Sequence, residues 1–435
     1  MPLKKKPVTG MKDIEPREMA IREYVLGKIK ETYRGYGFLG IETPCVDHLE
    51  NLTSKQGGDN EKLIFKILKR GEKLDLSSAR TDGDICEEGL RYDLTLPLAR
   101  FYANHGDALP MPFKALQTGP VWRADRPQKG RFRQFVQCDI DVLGDPSPLA
   151  EIELIQATAD ALSRICPDRA FTVRVNDRGI LRGMAAHCGF PAESFDRVFI
   201  ILDKMDKIGA EGVEAELIEA GYAPEAVGAY LGMFGKVSKD AGGLRTLGEI
   251  LGGAGAASGA GDGNSHVSGA LEAVGRLSMI METVAATTEG RFALEFDPTL
   301  VRGMAYYTGT IFEVSMEGFG GSVAGGGRYD EMIGKFTGIP TPACGFSIGF
   351  ERIVTILLDA GFAVPQAGAK KAYLFEKGLP QERFVSLLAK VRAERGAGGQ
   401  VLVAQMNKNK KFQKQKLLEE GYGEIAEVYV EELRR

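Results

Sequence analysis

The chain has 435 residues, with 55 Lys and Arg against 59 Asp and Glu and a formal net charge of −4. This balance excludes a global basic field drawing the protein to nucleic acid or an anionic membrane, so any polyanion site must be local. The length exceeds what one hydrophobic core supports and predicts two or three domains.

The opening MPLKKKPVTGMKDIEPREMA has a basic tip but no apolar stretch of a signal peptide, and no run of about 18 apolar residues follows, which predicts a soluble cytoplasmic protein without a membrane partner. Residues 17–36 place Ile21, Tyr24, Val25, Ile29, Tyr33 and Tyr36 on one face of an amphipathic helix. GFLGIETPCVD then reads as a turn and a strand broken at Pro44, and LRYDLTLPLARFYA (90–103) as a strand leading into a helix. PSPLAEIELIQATADALSRI (146–165) opens on Pro and Ser and continues at helical period, and FTVRVNDRG (171–179) is a strand with a turn. The mixture lacks the regular βαβ rhythm of a parallel sheet and predicts an antiparallel sheet flanked by helices.

Residues 180–250 are mostly of helical pattern, and the small-residue stretch 251–270, LGGAGAASGAGDGNSHVSGA, predicts a flexible connector. Strand patterns return in RFALEFDPTLVRGMAYYTGTIFEVSM (291–316), before AGGGRYDEM and the helix-opening CGFSIGFERIVTILLDAGF. From about Lys370 the order strand, helix, strand, lysine-rich helix, strand describes a small α/β domain near the lower size limit for independent folding. The expected fold is therefore α+β. Its domains are a catalytic core in two parts (1–179 and 291–365), a mostly helical insertion at 180–290, and a small C-terminal α/β domain at 368–435.

Six cysteines lie far apart without CxxC spacing, and four histidines form no HxH or HExxH pattern, so no zinc site is expected. The chemistry concentrates instead in WRADRPQKGRFRQFVQCDID (122–141), which reads as a hairpin with the polar loop RPQKGR. Period-2 alternation of its second strand puts Arg131, Arg133, Phe135, Gln137, Asp139 and Asp141 on one face and Phe132, Gln134, Val136, Cys138 and Ile140 on the other. Guanidinium groups grip phosphate, an aromatic face offers a stacking surface, and carboxylates suit a cationic group. That row fits a nucleoside triphosphate beside a polar or cationic small molecule.

WRADRP with GRFRQFVQCDIDVLG resembles the second signature motif of class II aminoacyl-tRNA synthetases, and of the histidyl-tRNA synthetase family in particular. LRYDLTLPLAR, LVRGMAYYTGTIFE with GGGRYD, and GFSIGFERI follow the same family in the expected order, over roughly residues 8–360. The resemblance implies that histidine and Mg-ATP form histidyl-adenylate, which is then transferred to the 3′ end of histidine tRNA. It assigns ATP contacts to Arg123, Asp125, Arg131, Phe135 and Arg352, and the histidine pocket to Asp93, Leu94, Thr95, Gln137, Asp141, Tyr306, Tyr307 and Tyr329 with Arg123 and Arg302. Arg123 and Arg302 are the implied catalytic pair, approaching the α-phosphate from opposite sides. The family reads RGLDYY where this chain reads RGMAYY, with Ala305 in place of an aspartate.

The helix at 17–36 with its following strand resembles the dimer-forming first motif and implies a homodimer. Gln128 and Lys129 match acceptor-end contacts, and Lys408, Lys410, Lys411 and Lys414 of KNKKFQKQK form a local basic patch suited to the anticodon stem. The last domain is shorter than the family's usual anticodon-binding module. Two rival readings remain: a synthetase-like regulatory subunit of ATP phosphoribosyltransferase, a family that normally lacks the terminal domain and loses the ATP-motif arginines kept here as Arg123, Arg131 and Arg352, and a histidine- or tRNA-sensing pseudoenzyme.

Overall fold

The computed structural model describes residues 3–53, 60–77, 79–127, 130–254, 262–301, 306–365 and 370–431. Its chain forms two compact units, Met1–Phe362 and Ala363–Arg435. The first begins with α1 (Pro16–Gly35), which has Pro at its first position, where a missing N–H costs no helical hydrogen bond. Ile21, Val25, Ile29 and Tyr33 are all buried, an i, i+4 stripe, whereas Tyr24 and Tyr36 are only half-buried at its margins.

After α1 the chain enters β1 (Leu39–Gly40), then α2 (Thr95–His105), β2 (Phe113–Trp122), β3 (Gln134–Leu143), α3 (Leu149–Ile165) and β4 (Phe171–Asp177). Beyond the insertion come β5 (Ala293–Phe296), β6 (Thr310–Met316), β7 (Ser322–Arg328), β8 (Ala343–Ile348) and α4 (Phe350–Asp359). These strands make one eight-stranded sheet in the order β1-β2-β3-β8-β7-β6-β4-β5. Only the outer pairs β1/β2 and β4/β5 are parallel; the inner pairs are antiparallel.

Helices α1, α3 and α4 pack on one another and on the β3–β8 region of this sheet. Cys138, Ile140 and Val142 of β3 are buried, while their alternate neighbours Gln137, Asp139 and Asp141 line a cavity. A satellite three-stranded antiparallel sheet, Val46–His48, Cys86–Leu90 and Lys66–Leu68, carries its own core of Leu49, Leu52, Ile64, Cys86, Tyr92 and Leu96. The strand expected before Pro44 is thus two residues long, and the pairing resumes in this second sheet at Val46.

The insertion is helical, running from Arg178–His187 through Phe195–Leu202, Met205–Glu219, Pro224–Phe234 and Ala241–Ala254 to the 27-residue helix Asp262–Thr288. The connector expected at 251–270 is corrected at both ends, because 251–254 and 262–270 are helical; 255–261 lie outside the described residues. Small side chains here permit close helix contact rather than preventing a core. A Cβ on Gly183 would lie 2.2 Å from the Ala270 Cβ, so Arg178–His187 and Asp262–Thr288 approach only because both positions are small.

In the second unit, strand Lys370–Phe375 pairs in parallel with Gln400–Gln405 on one side and Tyr422–Val428 on the other. Strand alternation sends Ala372 and Leu374 to a core with Leu417 of helix Lys410–Glu419, and Tyr373 to one with Leu387 and Val391 of helix Gln381–Gly396.

Candidate active site

The inward face of β3, the glycine-rich β7 and the end of β8 form the floor of a cavity of about 450 Å³. Absent side chains keep it open. A Cβ at Gly345 would sit 2.0 Å from Asp141 Oδ1, and one at Gly327 would meet the Tyr307 ring at 3.0 Å.

At one end, Asp141 is buried and accepts a 2.6 Å hydrogen bond from the Tyr329 hydroxyl. Its other oxygen, Oδ2, has no hydrogen-bond partner among the described residues, and neither does the buried Gln137 Oε1. Burial pushes the Asp141 carboxyl up to about 7, opposed by the Tyr329 hydrogen bond and aided by the nearby Asp93 charge. Tyr306, Tyr307 and Tyr329 wall this end, with Tyr306 ring centroids 4.8 Å from Tyr307 and 6.0 Å from Tyr329. Burial holds the Tyr306 and Tyr329 hydroxyls protonated well beyond the usual range, so both are hydrogen-bonding phenols at neutral pH.

In the middle, the Arg123 guanidinium lies 4.2 Å from the Tyr92 ring centroid and 5.2 Å from that of Phe135, and its Nε donates to the Tyr92 carbonyl at 3.0 Å. These contacts preset its direction. Asp93 and Thr95 join the wall from the start of α2, where Asp93 Oδ1 accepts the Leu96 N–H at 3.1 Å. At the far end stand Asp125, Arg131, Phe135 and Arg352. Arg352 is the third residue of α4, whose partial positive N-terminal charge adds to its own, and it donates to the Ser322 carbonyl and, at 3.0 Å, to the Ser322 hydroxyl.

Twelve of the residues expected at the site thus line one cavity: Asp93, Thr95, Arg123, Asp125, Arg131, Phe135, Gln137, Asp141, Tyr306, Tyr307, Tyr329 and Arg352. The Leu94 side chain is buried outside it, and its carbonyl accepts from Gln117 Nε2 at 3.1 Å. Arg302 and Ala305 lie outside the described residues, as do Gln128 and Lys129. The alternation expected through Arg133 fails because β3 starts only at Gln134. Arg133 instead donates its backbone N–H to the Gly10 carbonyl at 2.8 Å and its Nε to the Asp125 carbonyl at 3.1 Å.

In the C-terminal unit the basic patch is partly neutralised. Lys410 and Lys414 both pair with Glu427, and Lys410 also reaches the Tyr429 hydroxyl at 2.8 Å, whereas Lys408 and Lys411 make no ion pair among the described residues.

Ser347, Tyr92 and Glu351 line the cavity without having been singled out for the site, and Asp139, expected on the same face as Gln137 and Asp141 but given no role by the resemblance, lines it too. Asp139 accepts from the Ser347 hydroxyl and lies 3.4 Å from Gln137 Nε2, and burial together with the Asp141 charge raises its carboxyl well above the usual range. The β3 alternation places Asp139 on the cavity face. The register that sets Ser347 opposite it belongs to the fold.

An antiparallel-dominated sheet has helices behind it and arginines, an aromatic ring and carboxylates along its open face, the arrangement that the resemblance to class II aminoacyl-tRNA synthetases implies. A family model described as histidyl-tRNA synthetase matches residues 10–353, and the chain belongs to that family. It is 45% identical over 411 residues to a histidine–tRNA ligase from Leifsonia xyli subsp. xyli, covering 93% of this chain and 91% of the relative. A histidine–tRNA ligase from Bacteroides fragilis is 38% identical, over 80% of this chain and 75% of its own. Among solved structures, histidyl-tRNA synthetase from Nostoc sp. PCC 7120 superposes with a TM-score of 0.78 at 26% identity, covering 97% of this chain and 90% of that one. A Bacillus halodurans structure, described as an ATP phosphoribosyltransferase regulatory subunit/histidyl-tRNA synthetase, has a TM-score of 0.77 over 99% of both chains at 19% identity, a likeness of fold alone. The ligase relatives do not favour the regulatory-subunit reading.

Proposed function

We propose that this cavity joins histidine to ATP as histidyl-adenylate and that the protein then transfers the histidyl group to its tRNA. The observation that carries the reading is the pair of buried acceptors without partners, Asp141 Oδ2 and Gln137 Oε1, in the same cavity as Arg123 and the Phe135 ring. Leaving buried acceptors unmade costs on the order of 1–3 kcal/mol each, which a ligand bearing N–H donors recovers. Histidine brings such donors in its imidazole and its ammonium group.

In this reading Asp141 and Tyr329 address the imidazole, and Asp93 and Gln137 the ammonium. A wrong side chain leaves these groups unpaired, which gives discrimination without editing. Phe135 stacks on adenine with Asp125 beside its amino group, and Arg131 and Arg352 hold the outer phosphates. Arg123 draws the histidine carboxylate and the α-phosphate together, and Arg302 neutralises the phosphate from the other side. No general base is needed, since the attacking carboxylate is ionised already, so catalysis rests on alignment and on charge stabilisation.

Magnesium would enter with the triphosphate, as the resemblance implies. Among the described residues no group of three or more acidic, histidine or cysteine side chains is placed to hold a metal, and magnesium commonly rides on phosphate oxygens with few protein ligands. It would screen charge at the Arg131 and Arg352 end. Gln128 and Lys129 serve the acceptor end of the tRNA and Lys408 and Lys411 its stem, α1 serves a homodimer, and the cytoplasm is the place of action. No helix among the described residues is long and apolar enough to cross a membrane.

Charging tests the reading. With ATP, magnesium and histidine tRNA, labelled histidine should enter an ester on the tRNA, with AMP and pyrophosphate released. Absence of histidyl ester at protein concentrations matching the tRNA would refute it.

A further inference from the structure

The nucleotide end of the cavity is tied to α1 by one buried carboxylate. Arg22, on α1, grips Glu351 with two guanidinium nitrogens, Nη1 to Oε2 at 2.5 Å and Nη2 to Oε1 at 2.8 Å. Glu351 Oε1 accepts a further hydrogen bond from the Val136 N–H at 3.1 Å. Both side chains are largely removed from solvent, at 11% and 8% exposure, and the Arg22 guanidinium lies 4.8 Å from the Phe350 ring centroid.

The Val136 N–H has this partner because β3 outruns its neighbour there: pairing with β8 ends at Cys138↔Ile348, and Glu351 supplies an acceptor beyond the last rung. The groups flanking the carboxylate are the ones that matter. Phe135 precedes Val136 and Arg352 follows Glu351, and both face the cavity. A two-pronged, largely buried grip fixes direction as well as distance.

We propose that Arg22 and Glu351 form a positioning pair for the nucleotide: together they set the spacing between the Phe135 ring and the Arg352 guanidinium, and neither touches the reacting atoms. This rests on the reading of that end as the ATP site. The pair also cancels the Glu351 charge, which otherwise stands beside the outer phosphates. A lost grip therefore weakens ATP while leaving the histidine end, built on Asp141, Tyr329 and Tyr306, untouched.

Histidine-dependent ATP–pyrophosphate exchange on the full chain separates the possibilities. In Arg22→Met, which keeps an apolar stem, the KM for ATP should rise about tenfold while the KM for histidine stays within about twofold. Arg22→Lys, which keeps the charge and loses the fork, should show the same split at smaller size and serves if the Met variant does not fold. The double variant Arg22→Met, Glu351→Gln removes the bare charge, and its KM for ATP should remain raised. Equal changes in both KM values, no change in a folded variant, or a double variant restored to the wild-type KM for ATP would overturn the proposal. Wild-type protein without histidine-dependent exchange would instead overturn the function itself.

Discussion

Asp141 shows how a single side chain trades stability for binding. Its folded-state carboxyl titrates near 7, because burial opposes its ionisation more than the Tyr329 hydrogen bond favours it. Below the unfolded pKa of about 4 both states hold the proton and the group contributes nothing. Between roughly 4 and 7 the unfolded chain releases a proton that the folded one keeps, so stability falls as pH rises, and above 7 the loss is complete. Asp141→Asn should therefore flatten that decline in a pH series of melting curves, leaving the unliganded protein at pH 8 more stable than wild type by roughly 1–3 kcal/mol. The same variant should lose histidine binding by calorimetry; a variant that keeps it would remove Asp141 from the pocket. Gly345→Ala is the steric counterpart, since its new Cβ would press on Asp141 Oδ1. It should raise the KM for histidine at least about tenfold while the KM for ATP changes little.

Phe135, Gln137, Asp139 and Asp141 were legible from strand alternation, whereas Asp93, Thr95, Arg123, Asp125, Tyr306, Tyr307, Tyr329 and Arg352 were singled out only by the family resemblance of the motifs that hold them. Arg133 was not legible, because alternation ends where the strand ends, one residue later. Asp139 with Ser347, and Glu351 with Arg22, depend on contacts between segments about 200 and 330 residues apart, which no local period encodes.

At the scale of elements, β7 and α3 are joined by a buried ion pair. The Arg328 guanidinium donates from Nε and Nη2 to both oxygens of Glu151, each at 2.7 Å, and Glu151 is fully buried. The next residue after Arg328 is Tyr329, so the pair anchors the strand end that presents the phenol to Asp141. Arg328→Met leaves the Glu151 charge bare and should destabilise the protein by about 3–5 kcal/mol in denaturant titration. A change below about 1 kcal/mol would mean that Glu151 finds another partner there. The helix carrying Glu151 follows from the apolar period of 146–165, whereas β7, which reads SVAGGGR, has no apolar alternation to mark it as a strand. The insertion did not read as easily at 251–270, because Gly and Ala mark both loops and close helix contacts, and only the neighbour, here Gly183 against Ala270, decides which.

On the scale of the whole molecule, the cavity belongs entirely to the unit Met1–Phe362, and the lysine-bearing helix to Ala363–Arg435. Truncation after Phe362 should leave histidine-dependent exchange within about threefold of the full chain while tRNA charging falls by about a hundredfold or more. Equal loss of both would show that the second unit supports the cavity itself. The parallel pairing of that unit's three strands follows the alternation of helix and strand in its sequence, whereas their order, with Lys370–Phe375 in the middle, and the neutralisation of Lys410 and Lys414 by Glu427 are visible only in three dimensions.

The central claim is that one cavity selects histidine and activates it with ATP. ATP–pyrophosphate exchange measured with each of the twenty amino acids tests it most directly. The account predicts exchange with histidine at least about a thousandfold above every other amino acid, as expected for a site whose buried polar groups are satisfied only by that side chain. Exchange with a different amino acid, or with none, would contradict it.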